Sequence, residues 1–423
     1  MHTRIATLAV LALGLASLAL AAEPLPRATP ESVGMSSERL ERLSEVLRAD
    51  VENDRLPGAV IAIARRGKLV HFEAIGYRDK DAGAPMTTDV IFGIASMTKP
   101  MVTAGALMLY EQGQLLMNDP ISTYFPQFAD TKVAVMSEDG RRILETVPVD
   151  RPITVQDLMR HTSGIIYGNR GTTAVHEAST QALSRPQATL SGPEFIDALA
   201  SVPLLYQPGT VWDYGYSIDV VGQLIEHLSG QTLGQYLKAN LFDPLGMADT
   251  GFLLPSQDSD RYAQVLSNDP LSGRPQSTRD ATTPLTFECG GGCAISTASD
   301  YLRFALMLLN DGALGDTRVL GRKTVEYMLA NHLDPNVKNL IAAADPTRAD
   351  YGFGLGLAVR TTPGIARVMG SVGDFSWPGA TGTNWWADPE EELAVVFMSH
   401  APGPIRWHYR QLINALVNQA IVD

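Results

Sequence analysis

The strand patterns of this chain sit at its two ends, and that placement constrains the fold more than any other feature. Ala59 to Ala64 is an unbroken apolar run, Arg65-Arg66-Gly67 is a turn, and Lys68 to Ala74 is the return strand. The next buried-type strand of equal strength, Leu393 to Ser399, lies near the other terminus, and Tyr351 to Val359 carries alternating glycines. Between the ends the pattern is helical. Met101, Leu107 and Tyr110 repeat at helical spacing, and Val155 to Arg160, Gly192 to Ala200, Ile218 to Leu228 and Ala298 to Leu309 read as further helices. The expected fold is α+β: an antiparallel sheet built from both termini and flanked by helices, plus an inserted helical domain. Residues 22–95 and 300–423 form the sheet domain and 96–299 the helical one, with a ligand cleft between them.

Smaller elements follow the same reading. Glu31 to Val51 is expected as one amphipathic helix, with Leu40, Leu43, Val46 and Leu47 on one face. Ile405 to Ile421 closes the chain as a helix. Asp130 to Asp150 reads as an exposed loop or small hairpin. Gly168 to Leu190 and Pro255 to Pro284 read as polar connections of the kind that border a site.

A length of 423 residues fits two packed lobes, and 45% hydrophobic with 19% charged residues is the balance of a folded globule. The net charge of −13 excludes a nucleic-acid binder, which needs a basic footprint. Arg4, the apolar run Ile5 to Leu20 and the small residues around Ala19-Leu20-Ala21 read as an export signal over residues 1–21. The mature protein is therefore expected in the bacterial periplasm or secreted, with no membrane attachment once the signal is removed. Cys289 and Cys293 flank three glycines, and in an oxidising compartment they are either a tight local disulfide or two free thiols.

Three segments carry chemistry. Ser96-Met97-Thr98-Lys99 falls where a strand pattern gives way to a helix. A serine there sits in the positive end of the helix dipole, and a lysine three residues on shares its face. By themselves the pair reads equally as a helix cap and a solvated cation. A serine hydroxyl needs a base to become a nucleophile, and a desolvated lysine or a phenol beside it can serve. Trp212-Asp213-Tyr214-Gly215-Tyr216-Ser217 offers that phenol at Tyr214. Ser376-Trp377-Pro378-Gly379-Ala380-Thr381-Gly382 is the third segment. Its glycines permit close backbone approach, and Pro378 suggests an edge strand facing the cleft.

Together, in this order and context, the segments resemble the serine β-lactamase and penicillin-binding-protein superfamily. Within it they look closest to class C β-lactamase-like family VIII carboxylesterases. The resemblance spans nearly the whole mature chain. It includes the segments Phe92 to Pro100, Ile153 to Gly164, Gly290 to Tyr301, Tyr351 to Gly356 and Trp386 to Pro389. It implies a β-lactamase/transpeptidase-like fold, Ser96 as nucleophile, and Lys99 with Tyr214 as the general-base pair. It assigns the third-motif role to Trp377 and Gly379, and an oxyanion hole to the N–H groups of Ser96 and Ala380. No metal or cofactor is called for.

Two departures bear on substrate. The third motif of β-lactamases is usually Lys-Thr-Gly, and here it is Trp377-Pro378-Gly379. The missing lysine would hold an anionic carboxylate, a charge-assisted bond worth roughly 1.5–3 kcal/mol. The second motif usually ends in Asn, and here that position is Tyr216. Tyr167 and Trp377 are expected as walls of the acyl pocket. The expected partner is a small-molecule ester, with slow opening of a strained β-lactam alongside. A class C-type β-lactamase or D-alanyl-D-alanine carboxypeptidase is the alternative, then an acyltransferase or a non-catalytic penicillin-binding protein. The chain has no Gly-x-Ser-x-Gly elbow and no His-Glu-x-x-His, which argues against an α/β-hydrolase lipase and a zinc hydrolase.

Overall fold

A computed structural model describes residues 23–186 and 189–423. The expected export signal, 1–21, lies outside the described residues. The main sheet has eight strands. In chain order they are β1 (Gly58–Arg65), β2 (Lys68–Asp79), β3 (Ala84–Pro85), β4 (Tyr351–Phe353), β5 (Ala358–Arg360), β6 (Phe375–Ser376), β7 (Asn384–Asp388) and β8 (Leu393–Met398). Their spatial order is β4-β5-β6-β7-β8-β1-β2-β3, so the two ends of the chain meet in the middle. The seam is antiparallel, with Val60 opposite Met398 and Arg65 opposite Leu393.

Period-two alternation between two buried faces explains why both seam strands are apolar apart from Arg65 at the end of β1. Val60, Ala62 and Ala64 of β1 and Ala394, Val396 and Met398 of β8 enter one core, together with Leu302 and Ala305 of the helix Ala298–Leu309. Ala59, Ile61, Ile63, Leu393, Val395 and Phe397 point the other way. There they meet Leu40, Leu43 and Leu47 of the helix Ser37–Glu52 and Tyr409, Ile413 and Val417 of the helix Ile405–Asn418. The helix Thr98–Glu111 is buried on nearly every face and runs through the first core.

Several local expectations are corrected. The first helix is broken: a 3-10 turn Pro30–Val33 ends at Gly34, whose φ is 75°, and Ser36 caps a new helix by accepting the Arg39 N–H at 3.3 Å. Tyr351 to Val359 is two strands, because Gly354–Leu357 turns the chain back on itself. The polar connection Gly168–Leu190 contains a helix, Ala174–Ala182, capped by Thr173. Asp130 to Asp150 resolves as a hairpin, Lys132–Met136 with Ile143–Pro148. Pro378 does not mark an edge strand. β6 ends at Ser376 between two partners, and Pro378 lies past it, where no ladder N–H is required.

Candidate active site

The nucleophile segment is held from both sides. Phe92–Gly93 pairs with Ile295–Ser296, and the Gly93 N–H donates to His400 Nε2 at 3.0 Å. Ala95 then takes a φ of 44°, a left-handed conformation that a non-glycine residue adopts only at a cost. That single residue turns the chain sharply into the 3-10 turn Ala95–Met97 and the helix that follows. Ser96 is left half-buried, while Lys99, one turn on, is 0% exposed. Thr98 fixes the corner: its hydroxyl donates to the Ala95 carbonyl at 2.7 Å and accepts the Ala294 N–H at 3.1 Å.

Tyr214 reaches Ser96 from the helical region. Its hydroxyl lies 2.7 Å from Ser96 Oγ. The Trp377 indole N–H donates to the same phenol oxygen at 3.0 Å. The ring is wedged among His161, Trp377 and Tyr167, at centroid distances of 5.0, 5.1 and 5.2 Å. Burial and the nearby Lys99 charge hold His161 well below the ordinary imidazole value, so it stays neutral at physiological pH.

Lys99 has three acceptors for its three protons: Ser96 Oγ at 3.4 Å, Tyr167 Oη at 3.1 Å and the Gly291 carbonyl at 2.5 Å. It sits 4.5 Å from the Tyr214 ring centroid, against the ring and not on the phenol oxygen. Behind it lies Asp219, 3% exposed. Asp219 accepts from Tyr167 Oη at 3.4 Å and from the Gly291 N–H at 3.0 Å. Burial pushes its carboxyl up to about 6, with Lys99 and these hydrogen bonds pulling the other way. Burial, reinforced by Asp219, holds the Tyr167 phenol well above its ordinary value, so it keeps its proton. Gly291 must be glycine, since a Cβ would stand 2.2 Å from Asp219 Oδ2. Its loop is closed by the Cys289–Cys293 disulfide, with the two Cα atoms 5.2 Å apart.

The third segment abuts the nucleophile turn by its backbone. A Cβ on Gly379 would come within 2.4 Å of the Ile94 carbonyl. The Gly379 N–H donates to the Thr383 carbonyl at 2.9 Å, and the Thr381 hydroxyl to the Gly93 carbonyl at 2.6 Å. Ala380, between them, is exposed.

The structure brings Ser96, Lys99, Tyr214, Trp377 and Gly379 together. Tyr167 and Trp377 stand elsewhere than expected. Tyr167 directs its hydroxyl at Lys99 and Asp219, and Trp377, 2% exposed, lies behind Tyr214 with its N–H already engaged. Tyr216 packs on Tyr167 and Phe195, at 4.4 and 5.9 Å between centroids. Sequence reasoning missed Asp219 and the Gly291 carbonyl. No local signal marks Asp219, an acid in the first turn of the helix Ser217–Ser229 whose i+4 and i+7 neighbours, Gln223 and Glu226, are polar. A cavity of about 770 Å³ lined by Leu25, Arg66, Asp243, Arg303 and Asp316 includes none of these groups, and the chemistry follows the converged polar atoms, not the volume.

The segment beneath Tyr214 depends on Asp157, whose side chain is fully buried. It accepts from Arg151 at 2.5 and 2.9 Å, from Arg160 at 3.0 Å and from the Thr162 hydroxyl at 2.9 Å. The His161 carbonyl next door accepts the Asp213 N–H at 3.1 Å. Burial works to raise Asp157, but bonds from Arg151 and Thr154 win and hold it at about 2. Its stabilisation is full above the unfolded value of 3.8 and is lost as pH falls through about 2. Asp157→Ala is expected to lower stability at pH 7 by about 3 kcal/mol. In urea unfolding the deficit should shrink as the pH approaches 2, and an undiminished deficit there would contradict the pairing.

A family model described as Beta-lactamase matches residues 43–416. The chain belongs to the beta-lactamase family. This beta-lactamase-family chain is 38% identical over 357 residues to Protein Rv1367c of Mycobacterium tuberculosis, covering 82% of this chain and 86% of that one. It is 28% identical over 380 residues to Esterase EstB of Burkholderia gladioli, covering 85% and 90%. The solved structure of simvastatin synthase from Aspergillus terreus matches with a TM-score of 0.75 at 21% identity, covering 90% of this chain and 98% of that one, a likeness of fold. As a member of the beta-lactamase family the protein is a serine hydrolase with a β-lactamase/transpeptidase-like fold.

Proposed function

We propose that this protein is a carboxylesterase that hydrolyses short-to-medium acyl esters through an acyl-enzyme on Ser96. One observation carries the reading: Ser96 Oγ lies between Tyr214 Oη at 2.7 Å and Lys99 Nζ at 3.4 Å. The Lys99 ammonium and the Trp377 indole can only donate. The Tyr214 hydroxyl donates to Ser96 Oγ in the resting geometry, so the reacting form is the one with Tyr214 as the phenolate, and there the serine proton is directed to the Tyr214 oxygen. As Ser96 Oγ bonds to the ester carbonyl, the Tyr214 phenolate takes that proton and, as the phenol, passes it to the departing alcohol. The N–H groups of Ser96 and Ala380 hold the oxyanion, at about 3 kcal/mol for a strong donor. Water then attacks the acyl-enzyme, giving its proton to Tyr214, and Ser96 recovers a proton as the acid leaves. Lys99 keeps positive charge beside the forming phenol–serine hydrogen bonds, and Asp219 balances it from behind.

The ester preference rests on the absence of a third-motif cation, with Trp377 buried in its place, and on the resemblance to EstB. One observation favours the second reading, a β-lactam or peptide carboxylate: the exposed Arg170 guanidinium lies 5.4 Å from the Tyr214 ring centroid. Comparison of kcat/KM for p-nitrophenyl butyrate and nitrocefin tests the choice. The ester should lead by on the order of 100-fold, the factor set by one missing charge-assisted bond. A preference for nitrocefin that disappears in Arg170→Ala would replace the esterase reading with the second.

A further inference from the structure

The oxyanion hole assigned to Ala380 depends on where one peptide plane points, and a buried arginine far along the chain holds that plane. Arg410 lies on the helix Ile405–Asn418 and is 5% exposed. Its Nη2 donates to the Gly379 carbonyl at 2.7 Å. Nη1 lies 3.3 Å from Asp345, itself 2% exposed, which balances the buried charge. Burial lowers Arg410 to about 10 and Asp345 opposes the fall, so it remains a cation at neutral pH. The described chain has no cis peptide, so the Gly379 carbonyl and the Ala380 N–H point in opposite directions from one rigid plane. Pinning the oxygen on one side fixes where the N–H on the other side points. A cation on the carbonyl also polarises the amide and strengthens its N–H as a donor.

We infer that Arg410 is a positioning residue for the oxyanion hole, acting on the transition state through the Gly379–Ala380 peptide and touching no substrate itself. This rests on the serine-hydrolase mechanism proposed above. The neighbouring contacts fit a fixed plane: the Gly379 N–H and the Thr381 hydroxyl are both engaged by backbone carbonyls. Among the described residues the Ala380 N–H has no protein partner, and Ala380 is exposed, so the donor is open to a ligand.

The test compares Arg410→Gln, Arg410→Lys and Asp345→Asn with wild type. It uses p-nitrophenyl butyrate for kcat and KM, and a phenylboronic acid whose tetrahedral adduct places an oxygen in the hole. In Arg410→Gln, kcat should fall about 30-fold with KM changed less than about 3-fold, the size expected for losing a charge-assisted bond in the transition state only. Boronate affinity should fall by the same factor. Arg410→Lys, which keeps a buried cation opposite Asp345, should lose about 5-fold in kcat, since a single ammonium replaces the planar fork. Asp345→Asn breaks the ion pair but leaves the carbonyl bond, so its kcat should stay within about 3-fold even where its melting temperature drops. Wild-type kcat in both Arg410 variants would overturn the inference. So would an Asp345→Asn loss equal to that of Arg410→Gln, which marks a merely structural role. Ser96→Ala, measured alongside, tests the underlying mechanism separately.

Discussion

Ser96→Ala should abolish ester turnover, with kcat/KM falling by on the order of 10⁴-fold or more while the fold is kept. The fold is expected to survive because Ser96 is half-buried and no packing core rests on its hydroxyl. The strained corner at Ala95 is held by Thr98 and by the Gly93 strand, both untouched by the change. Tyr214 keeps the Trp377 N–H, and Lys99 keeps Tyr167 and Gly291. The lost rate is then attributable to the bond that no longer forms. Matching melting curves with activity reduced only a few-fold would remove Ser96 from the mechanism.

Lys99→Met should be the second large effect, with kcat lost by on the order of 10³-fold. The cation donates to Ser96 Oγ, the Tyr167 phenol and the Gly291 carbonyl together. Its removal withdraws the positive charge from the proton-transfer step. Stability should respond differently, and with pH. Lys99 is one of the groups that hold Asp219 down, so without it the carboxyl rises further above about 6. A folded value above the unfolded 3.8 gives stabilisation that is full below 3.8 and lost as pH rises through the folded value. The variant should therefore match wild type most closely near pH 4 and fall behind toward pH 8, by about 1–3 kcal/mol. Urea unfolding at both pH values measures this. A deficit that is largest at low pH would contradict the pairing of Lys99 with Asp219.

Much of this architecture is legible in the amino-acid sequence. The seam strands β1 and β8 declare themselves by their apolar runs, Gly58 to Ala64 and Leu393 to Met398, since both faces are buried. Ser96, Lys99 and Tyr214 stand out in the sequence because a nucleophile and its base, as proposed here, must be of a few chemical types. What remained hidden depends on long-range approach. Ala95 gives no hint of its left-handed φ, since only the clamp of Thr98 and the Gly93 strand imposes it. Tyr167 reads as a pocket wall because nothing near it in sequence reveals that Lys99 lies 3.1 Å from its hydroxyl. Asp219 reads as an ordinary acid in the first turn of a helix, and its burial is set by the Gly291 loop some 72 residues away. Trp377 offers a large apolar surface in sequence, but the fold turns that surface inward onto Tyr214. Pro378 suggests an edge strand, whereas β6 has already ended two residues earlier.

Intact-protein mass spectrometry of the enzyme quenched during turnover of a slowly hydrolysed p-nitrophenyl ester tests the covalent step itself. A mass increase of one acyl group, mapping to the peptide that contains Ser96 and missing from Ser96→Ala, is the expected result. An acyl group on any other side chain, or continued turnover by Ser96→Ala, would contradict it.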